Sequence, residues 1–458
     1  MSVRVPDASK LRSTHLLLEQ REVERRRKTS KQAERIERGH PYTAKAAQLP
    51  ANRLKNRYVL PSALSWVYVP ILRPPTLNTL TPTHARELKS GSLSLSLSLL
   101  RSSPDPSAGP HPDSDIYPYD ANRLLLPKPI HGNDYINASW IREPDFQLPH
   151  PPRHDHPSPH PQQQTWIAAQ GPLPETCYEF FSLCINPDPA RRPRVIIQLT
   201  AWQEGGREKC ACYLPAKVGG VLEFRAQGPL HVGQSTRHGG GGGDHKFRWS
   251  PAESRVRVTL ESSHAGPVHS SSGRRPATSS FYRQNTLLLQ HVSCGDAGPS
   301  GEVLSDATLT HYECIDWPDR GTPLSTEPIL HLIRSAKTAA RTIQPDAPPS
   351  PILVHCSAGV GRTGTLIAIA SCEAHLHRLS HTTDNSPPQN TNLQLPQQLF
   401  GLGRLQALPS ALDEDLVAHT VDFLREQRVC MVQTEAQLGF VYKALAESAP
   451  SPSEAVHV

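Results

Sequence analysis

The apolar positions of this chain fall into two rhythms. Unbroken runs rich in branched residues, Val195-Ile196-Ile197-Gln198-Leu199-Thr200 and Pro351-Ile352-Leu353-Val354, read as strands buried on both faces. Arg255-Val256-Arg257-Val258-Thr259-Leu260 alternates and reads as a half-buried strand. Residues 308–314 are strand-like, 221–224 more weakly so, and 133–141 form a turn leading into a strand. Leu366-Ile367-Ala368-Ile369-Ala370 reads as the buried face of a helix, and helices are predicted over 177–185, 327–342, 416–427 and 438–446. Residues 16–37 differ. Dense in Glu, Arg and Lys and free of Pro and Gly, they read as a solvated helix laced with i,i+4 pairs.

Other stretches keep neither rhythm. Residues 59–113 hold Pro-rich pieces and the repeat Ser92-Leu93-Ser94-Leu95-Ser96-Leu97-Ser98-Leu99. Its alternation fits a strand, but its low complexity favours a segment with no place in a fold. Residues 143–164 carry His150, His154, His156 and His160 among prolines that forbid the helical spacing needed to gather such ligands. A flexible loop is expected there, and no metal. Residues 239–243 are a glycine linker, 264–280 a Ser-rich loop, 379–409 a Pro-, Asn- and Gln-rich insertion, and 448–458 a disordered tail.

Composition agrees: 46 Pro, 28 Gly and 37% hydrophobic content suit a chain of 458 residues that is partly loop or disorder, within one large domain or two to three average ones. A formal net charge of +6 suits an anionic substrate and does not argue for nucleic acid. Nine cysteines without paired spacing point to reduced thiols in a cytoplasmic or nuclear setting. Arg4, Lys10 and Arg12 interrupt any signal-peptide core. No run approaches the roughly 18 apolar residues of a membrane span; residues 63–72 are short and hold Pro70. The cluster Arg25-Arg26-Arg27-Lys28 is a candidate nuclear import signal, with an exposed basic helical arm over 1–50 as the plainer reading.

Chemistry concentrates in His355-Cys356-Ser357-Ala358-Gly359-Val360-Gly361-Arg362-Thr363-Gly364-Thr365, a turn from a buried strand into a helix. A cysteine is a good nucleophile only as thiolate. A helix N-terminus and a ring of backbone N–H groups stabilise such an anion, and the same amides can hold phosphoryl oxygens. Glycines let the backbone approach a ligand, and the planar fork of Arg362 can pair two phosphate oxygens at once. The expected product is an anion cradle with a sulfur at its floor. A glycine-rich connection with a chance cysteine is the bland alternative, and eleven residues in this pattern count against it.

This stretch resembles the signature of the classical, cysteine-dependent protein tyrosine phosphatases, here of a non-receptor, fungal-like kind with several insertions. Further blocks resemble the family in its order. Lys55-Asn56-Arg57-Tyr58 is similar to the phosphotyrosine-recognition segment, resumed after 59–113 at Ser114-Asp115, so that Tyr58 and Asp115 would wall the substrate pocket. Trp317-Pro318-Asp319 resembles a closing acid loop, with Asp319 rather than Asp316 donating the proton to the leaving group. By the same resemblance Glu204 orders the signature arginine and Lys209 contacts the acid loop. Gln433 positions the water of a second step, and Gln437 supports it. Ser357, Ala358, Gly359, Val360, Gly361 and Arg362 hold the phosphoryl group, Thr363 helps the thiolate leave, and His355 orients Cys356.

The resemblance implies one α/β catalytic domain over 51–447, a twisted mixed sheet flanked by helices and interrupted at 59–113, 143–164, 264–280 and 379–409. It implies hydrolysis of phosphotyrosine in proteins through a phosphocysteine intermediate, by a monomer without cofactor or metal and without nucleic-acid or membrane partners. Two rivals are a silent phosphotyrosine-binding module, which would typically lack the cysteine, arginine or acid, and a dual-specificity phosphatase, which lacks the Asn-Arg-Tyr and Gln-Thr blocks.

Overall fold

The doubly apolar runs sit where both faces of a sheet are covered. The computed structural model describes residues 3–33, 42–53, 55–57, 116–146, 163–226, 254–266, 281–293, 301–314, 316–319, 321–341, 348–381, 398–399 and 402–448. Tyr58, Asp115, residues 59–113, the four histidines of 150–160 and the glycines of 239–243 lie outside these.

Among the described residues the strands are β1 (Arg123–Ile130), β2 (Asn133–Arg142), β3 (Thr165–Ala169), β4 (Val195–Gln198), β5 (Gln203–Glu204), β6 (Arg207–Glu208) and β7 (Val221–Arg225). They continue with β8 (Ser254–Ala265), β9 (Arg283–Ser293), β10 (Val303–Glu313), β11 (Ile352–His355), β12 (Gln398–Leu399) and β13 (Leu402–Gly403). The helices are α1 (Ala8–Ala33), α2 (Lys45–Gln48), α3 (Pro50–Arg53), α4 (Cys177–Cys184), α5 (Glu327–Ala340), α6 (Gly361–His381), α7 (Leu416–Arg425) and α8 (Glu435–Ser448).

Nine strands form one mixed sheet in the order β1-β2-β3-β11-β4-β10-β9-β8-β7. The central four, β3, β11, β4 and β10, are parallel, and both flanks are antiparallel. Leu353 of β11 pairs in register with Ile167 and Ile196, and all three face a core built with Phe180, Phe181 and Leu183 of α4. On the other face α5 and α6 pack against β3, β4, β10 and β11, with Lys337 held 5.7 Å above the Trp166 ring. Each fully buried branched side chain contributes about 1.5–3 kcal/mol. Central strands clad on both sides explain why 195–200 and 352–354 show no alternation.

Three expectations need correction. Helix α1 is not a solvated arm: it packs on α7 and α8 within the same compact unit as the sheet. Arg21 Nε donates to Asp422 at 2.7 Å, and the 0%-exposed Arg25 pairs with Asp422 and, at 2.9 Å, with Glu426. Charge periodicity does not distinguish a helix face bathed in water from one matched to an acidic partner. Burial of Arg25 also removes it from any exposed import cluster. Second, the ends of the stretch read as a loop over 143–164 are built in: Glu143, Phe146 and Gln164 are buried, and Trp166 Nε1 donates to Glu143 at 3.1 Å. Third, His264 and Ala265 finish β8, α6 runs to His381, β12 and β13 form a hairpin, and Leu405 and Leu408 are buried. Polar composition hid these because backbone pairing and a few apolar contacts suffice. No helix among the described residues is long and apolar enough to cross a membrane.

Candidate active site

Strand β11 ends at His355 and α6 starts at Gly361, so five residues, 356–360, turn the chain through the C-terminal edge of the parallel strands. What shapes the turn is the outward pinning of five successive carbonyls. Cys356 O lies 3.2 Å from His355 Nδ1, and Ser357 O accepts from Gly171 N at 3.0 Å. Ala358 O and Gly359 O accept from Arg428 at 3.1 and 2.9 Å, and Val360 O accepts from Gly364 N at 2.8 Å and Val432 N at 3.2 Å. A trans peptide sets its N–H opposite its C=O. The amides that follow these carbonyls therefore face the other way, toward the sulfur; Gly359 N donates to Cys356 Sγ at 3.3 Å. Two glycines make this possible. Gly359 has φ +74°, and a Cβ there would come 2.1 Å from Ala169 O. A Cβ at Gly361 would stand 2.6 Å from Gln433 Oε1.

Arg362 is buried and held from three sides. Nη1 donates to Leu199 O at 2.9 Å and to Glu204 Oε1 at 2.6 Å; Nη2 donates to Glu204 Oε2 at 2.6 Å and to Asp319 Oδ1 at 2.9 Å. The β5–β6 hairpin carries Glu204 and, one residue beyond β6, Lys209, whose Nζ donates to Asp319 Oδ2 at 2.5 Å. Burial alone would raise the Asp319 carboxyl, but the Lys209 hydrogen bond and the Arg362 charge bring it below the usual range. Burial likewise opposes the ionised Glu204, and the Arg362 fork overcomes it. Asp319 keeps 45% of its side chain exposed. Its loop is anchored by Trp317, which is 1% exposed, donates from Nε1 to Gly321 O at 3.0 Å and packs 6.0 Å from the Phe440 ring of α8. Pro318 O accepts from Gly321 N at 3.2 Å, closing the turn, and Asp316 is exposed outside this set.

Gln433 and Gln437 flank the start of α8, with Gln433 N donating to Gln437 Oε1 at 2.9 Å. The chain reaches them through left-handed backbone at Cys430 (φ 55°) and Val432 (φ 60°). Arg425 holds that segment by donating to Met431 O at 2.9 Å and Val432 O at 2.7 Å. The Thr363 hydroxyl is buried and has no hydrogen-bond partner. His355 Nε2 lies 2.7 Å from Tyr213 Oη, and burial keeps the imidazole neutral, down to about 4.

The recognition segment is described up to Arg57. Asn137 Nδ2 donates both to Asn56 Oδ1 at 2.8 Å and to Ile116 O at 2.9 Å, so the chain leaves and returns at one asparagine. Arg57 N donates to Gln170 Oε1 at 2.7 Å. Sequence reasoning missed Arg428, Arg425 and Tyr213. The one available signal was a charged residue at each of 425 and 428 beside an apolar helix; Arg428 is 0% exposed. Among the described residues no three His, Cys, Asp or Glu side chains are grouped to hold a metal ion.

A buried thiol beneath backbone amides, with a guanidinium and a carboxyl beside it, makes a candidate anion site with a thiol at its floor. The protein-tyrosine phosphatase family profile matches residues 111–234 and 277–389, and the chain belongs to the protein-tyrosine phosphatase family. It is 27% identical over 338 residues to the rat tyrosine-protein phosphatase non-receptor type 21, covering 73% of this chain and 20% of that protein. The human non-receptor type 14 enzyme is 27% identical over 339 residues, with coverage of 73% and 20%. Tyrosine-protein phosphatase 1 of Saccharomyces cerevisiae is 27% identical over 341 residues, 72% of this chain and 79% of the yeast one. The chain thus spans about a fifth of the length of these rat and human relatives.

Proposed function

We propose that the protein is a protein-tyrosine phosphatase, hydrolysing phosphotyrosine in proteins in two covalent steps. The observation that carries the reading is the outward pinning of five carbonyls around Cys356, which turns the loop into a row of amide donors over a sulfur. Cys356, as thiolate, attacks phosphorus; the S–P bond forms as the P–O bond to tyrosine breaks. The amides of 357–362 and Arg362 hold the equatorial oxygens, where transition-state charge sits. Asp319 gives its proton to the tyrosyl oxygen. A water held by Gln433, itself steadied by Gln437, then attacks phosphorus. The S–P bond breaks with the Thr363 hydroxyl on the sulfur, Asp319 takes the water's proton, and inorganic phosphate leaves.

The Arg362–Asp319 hydrogen bond gives substrate a part in preparing the acid. An arriving phosphate dianion takes Arg362 from Asp319, removing one of the two cations that hold the carboxyl low while Lys209 remains, and adds a negative charge beside it. Asp319 then gains the proton it must donate. Tyr58 and Asp115, which the family resemblance would place at the aromatic pocket, lie outside the described residues; the described ends on either side, Asn56 and Ile116, both bond Asn137. A cytoplasmic or nuclear setting belongs to the same proposal and rests on the unpaired cysteines, the eight described ones being free thiols.

The test uses the full chain and Cys356→Ser with phosphotyrosine and phosphoserine peptides. The native chain should hydrolyse the phosphotyrosine peptide alone, and Cys356→Ser should bind that peptide without turnover. Turnover by Cys356→Ser removes the nucleophile from Cys356, and phosphoserine cleaved as fast as phosphotyrosine favours a dual-specificity enzyme.

A further inference from the structure

A line of buried polar groups runs behind Cys356 and across the sheet. His355 Nδ1 lies 3.2 Å from Cys356 O and Nε2 2.7 Å from Tyr213 Oη. Tyr213 Oη lies 3.0 Å from His311 Nε2 and 3.2 Å from Gln198 Oε1. His311 Nδ1 lies 3.2 Å from Asn285 Nδ2. All of these side chains are buried, and burial keeps both imidazoles neutral, His355 at about 4 and His311 at about 3.

The proton positions follow from what each partner can do. A carbonyl only accepts, which favours the His355 proton on Nδ1 with Nε2 accepting from the Tyr213 hydroxyl at 2.7 Å, but that one hydroxyl proton is also within donating reach of Gln198 Oε1 at 3.2 Å. The Asn285 side chain also hydrogen-bonds the Glu313 carboxylate, which only accepts, so its NH2 group faces both Glu313 and His311. His311 Nδ1 therefore accepts, and its Nε2–H points at Tyr213 Oη. A phenolic oxygen takes one good in-plane acceptor bond, because its other lone pair is delocalised into the ring, and His311 fills that place. One competing arrangement is built into the site. Gln198 Nε2 donates to Thr200 O at 2.8 Å, which turns Gln198 Oε1 toward Tyr213. Were the His311 N–H missing, His355 Nε2–H could donate to Tyr213 and Tyr213 to Gln198. His355 Nδ1 would then face the Cys356 carbonyl as lone pair against lone pair.

We propose that Asn285 and His311 are positioning residues that lock His355 in its Nδ1–H tautomer, holding the Cys356 carbonyl outward and the Ser357 N–H turned into the cradle. The proposal rests on the phosphatase reading for its effect on rate. It assigns a role to strands β9 and β10, which contribute these two residues and neither the nucleophile nor the acid.

The experiment compares full-length His311→Gln, whose amide N–H still reaches Tyr213, with His311→Met, which has no donor. The readouts are the long-range 15N spectrum of the imidazoles, with His355 assigned by its loss in His355→Gln, the rate of Cys356 alkylation by iodoacetate, and kcat on a phosphotyrosine peptide. The native chain and His311→Gln should show the Nδ1–H signature at His355, with kcat within about threefold of each other. His311→Met should show the Nε2–H tautomer and lose roughly tenfold in both alkylation rate and kcat. Should His311→Met not fold, Asn285→Ala leaves the imidazole in place, frees its tautomer and should move all three readouts in the same direction. A pure Nδ1–H signature in His311→Met or, failing that, in Asn285→Ala, or equal losses in the Gln and Met variants, overturns the proposal. The spectrum needs no turnover, so an inactive native chain counts against the phosphatase reading while the tautomer still decides this one.

Discussion

Replacing Arg428 with Met tests whether the cradle is shaped from outside. The guanidinium donates to Gly359 O, Ala358 O, Ser139 Oγ and Asn137 Oδ1 at 2.8–3.1 Å. Met keeps most of the stem volume and removes every donor. Four buried acceptors lose a partner, at about 1.5 kcal/mol each or roughly 6 kcal/mol together. Against this stands the cost of burying the charge, which lowers the Arg428 pKa from its ordinary value to about 10, equivalent to about 3 kcal/mol. The net expectation is a loss of about 3 kcal/mol, which at a urea slope of roughly 3 kcal/mol/M moves the unfolding midpoint down by about 1 M. Turnover suffers separately. With two of five carbonyls released, their amides no longer hold the transition-state oxygens, and kcat should fall about 10²-fold. Arg428→Lys should recover little, because an ammonium cannot span two carbonyls as the planar fork does. A native urea midpoint in Arg428→Met, or a kcat within about threefold of native, refutes the reasoning.

Two further outcomes are expected. Asp319→Ala should lower kcat by roughly 10²–10⁴-fold on a phenolic substrate and less where the leaving group needs no proton; an equal loss across leaving-group pKa removes Asp319 from the acid role. Buried His311, His355 and His375 titrate in the fold at about 3, about 4 and about 4, below the ordinary 6.5, burial being the first cause in each. The unfolded chain takes these protons first, so their contribution to stability is complete above pH 6.5 and is lost as pH falls toward 3. Each adds up to about 1.4 kcal/mol per pH unit in that window. Urea midpoints between pH 6.5 and 4.5 should fall accordingly, with a shallower fall in His375→Phe; an unchanged slope in that variant excludes His375.

The strands and helices around the nucleophile were legible because they are local. A β-branched run, a glycine-rich turn and an apolar helix face lie within 351–370, and the pattern states their order. What went unread depends on partners far along the chain. Arg428 reaches Gly359 across 69 residues and Tyr213 reaches His355 across 142, so neither shows in any local window. Of residues 16–37, the described part up to Ala33 was read correctly as helix and wrongly as solvated, because the acids that meet Arg21 and Arg25 stand 397 to 401 positions away. His264, Ala265 and Gln164 failed for another reason: their composition is that of loops, and the neighbours that pair or bury them decided otherwise.

The docking of α1 on α7 and α8 has a consequence in time. Helix α1 leaves the ribosome well ahead of its partners, since Arg21 and Asp422, like Arg25 and Glu426, stand 401 positions apart. At about 5–20 residues per second, the interval between them is roughly 20–80 s. During it, Arg21 and Arg25 are without Asp422 and Glu426, and every strand of the nine-stranded sheet, the last being β11, is made before α7. Glu19 of α1 also holds Arg425, which in turn holds the backbone leading to Gln433, so that segment is set only when α1 and α7 have met. A chain cut before α7 would carry the complete sulfur cradle sequence with the segment before Gln433 unheld, so in the proposed mechanism the second chemical step waits for α7 to be made.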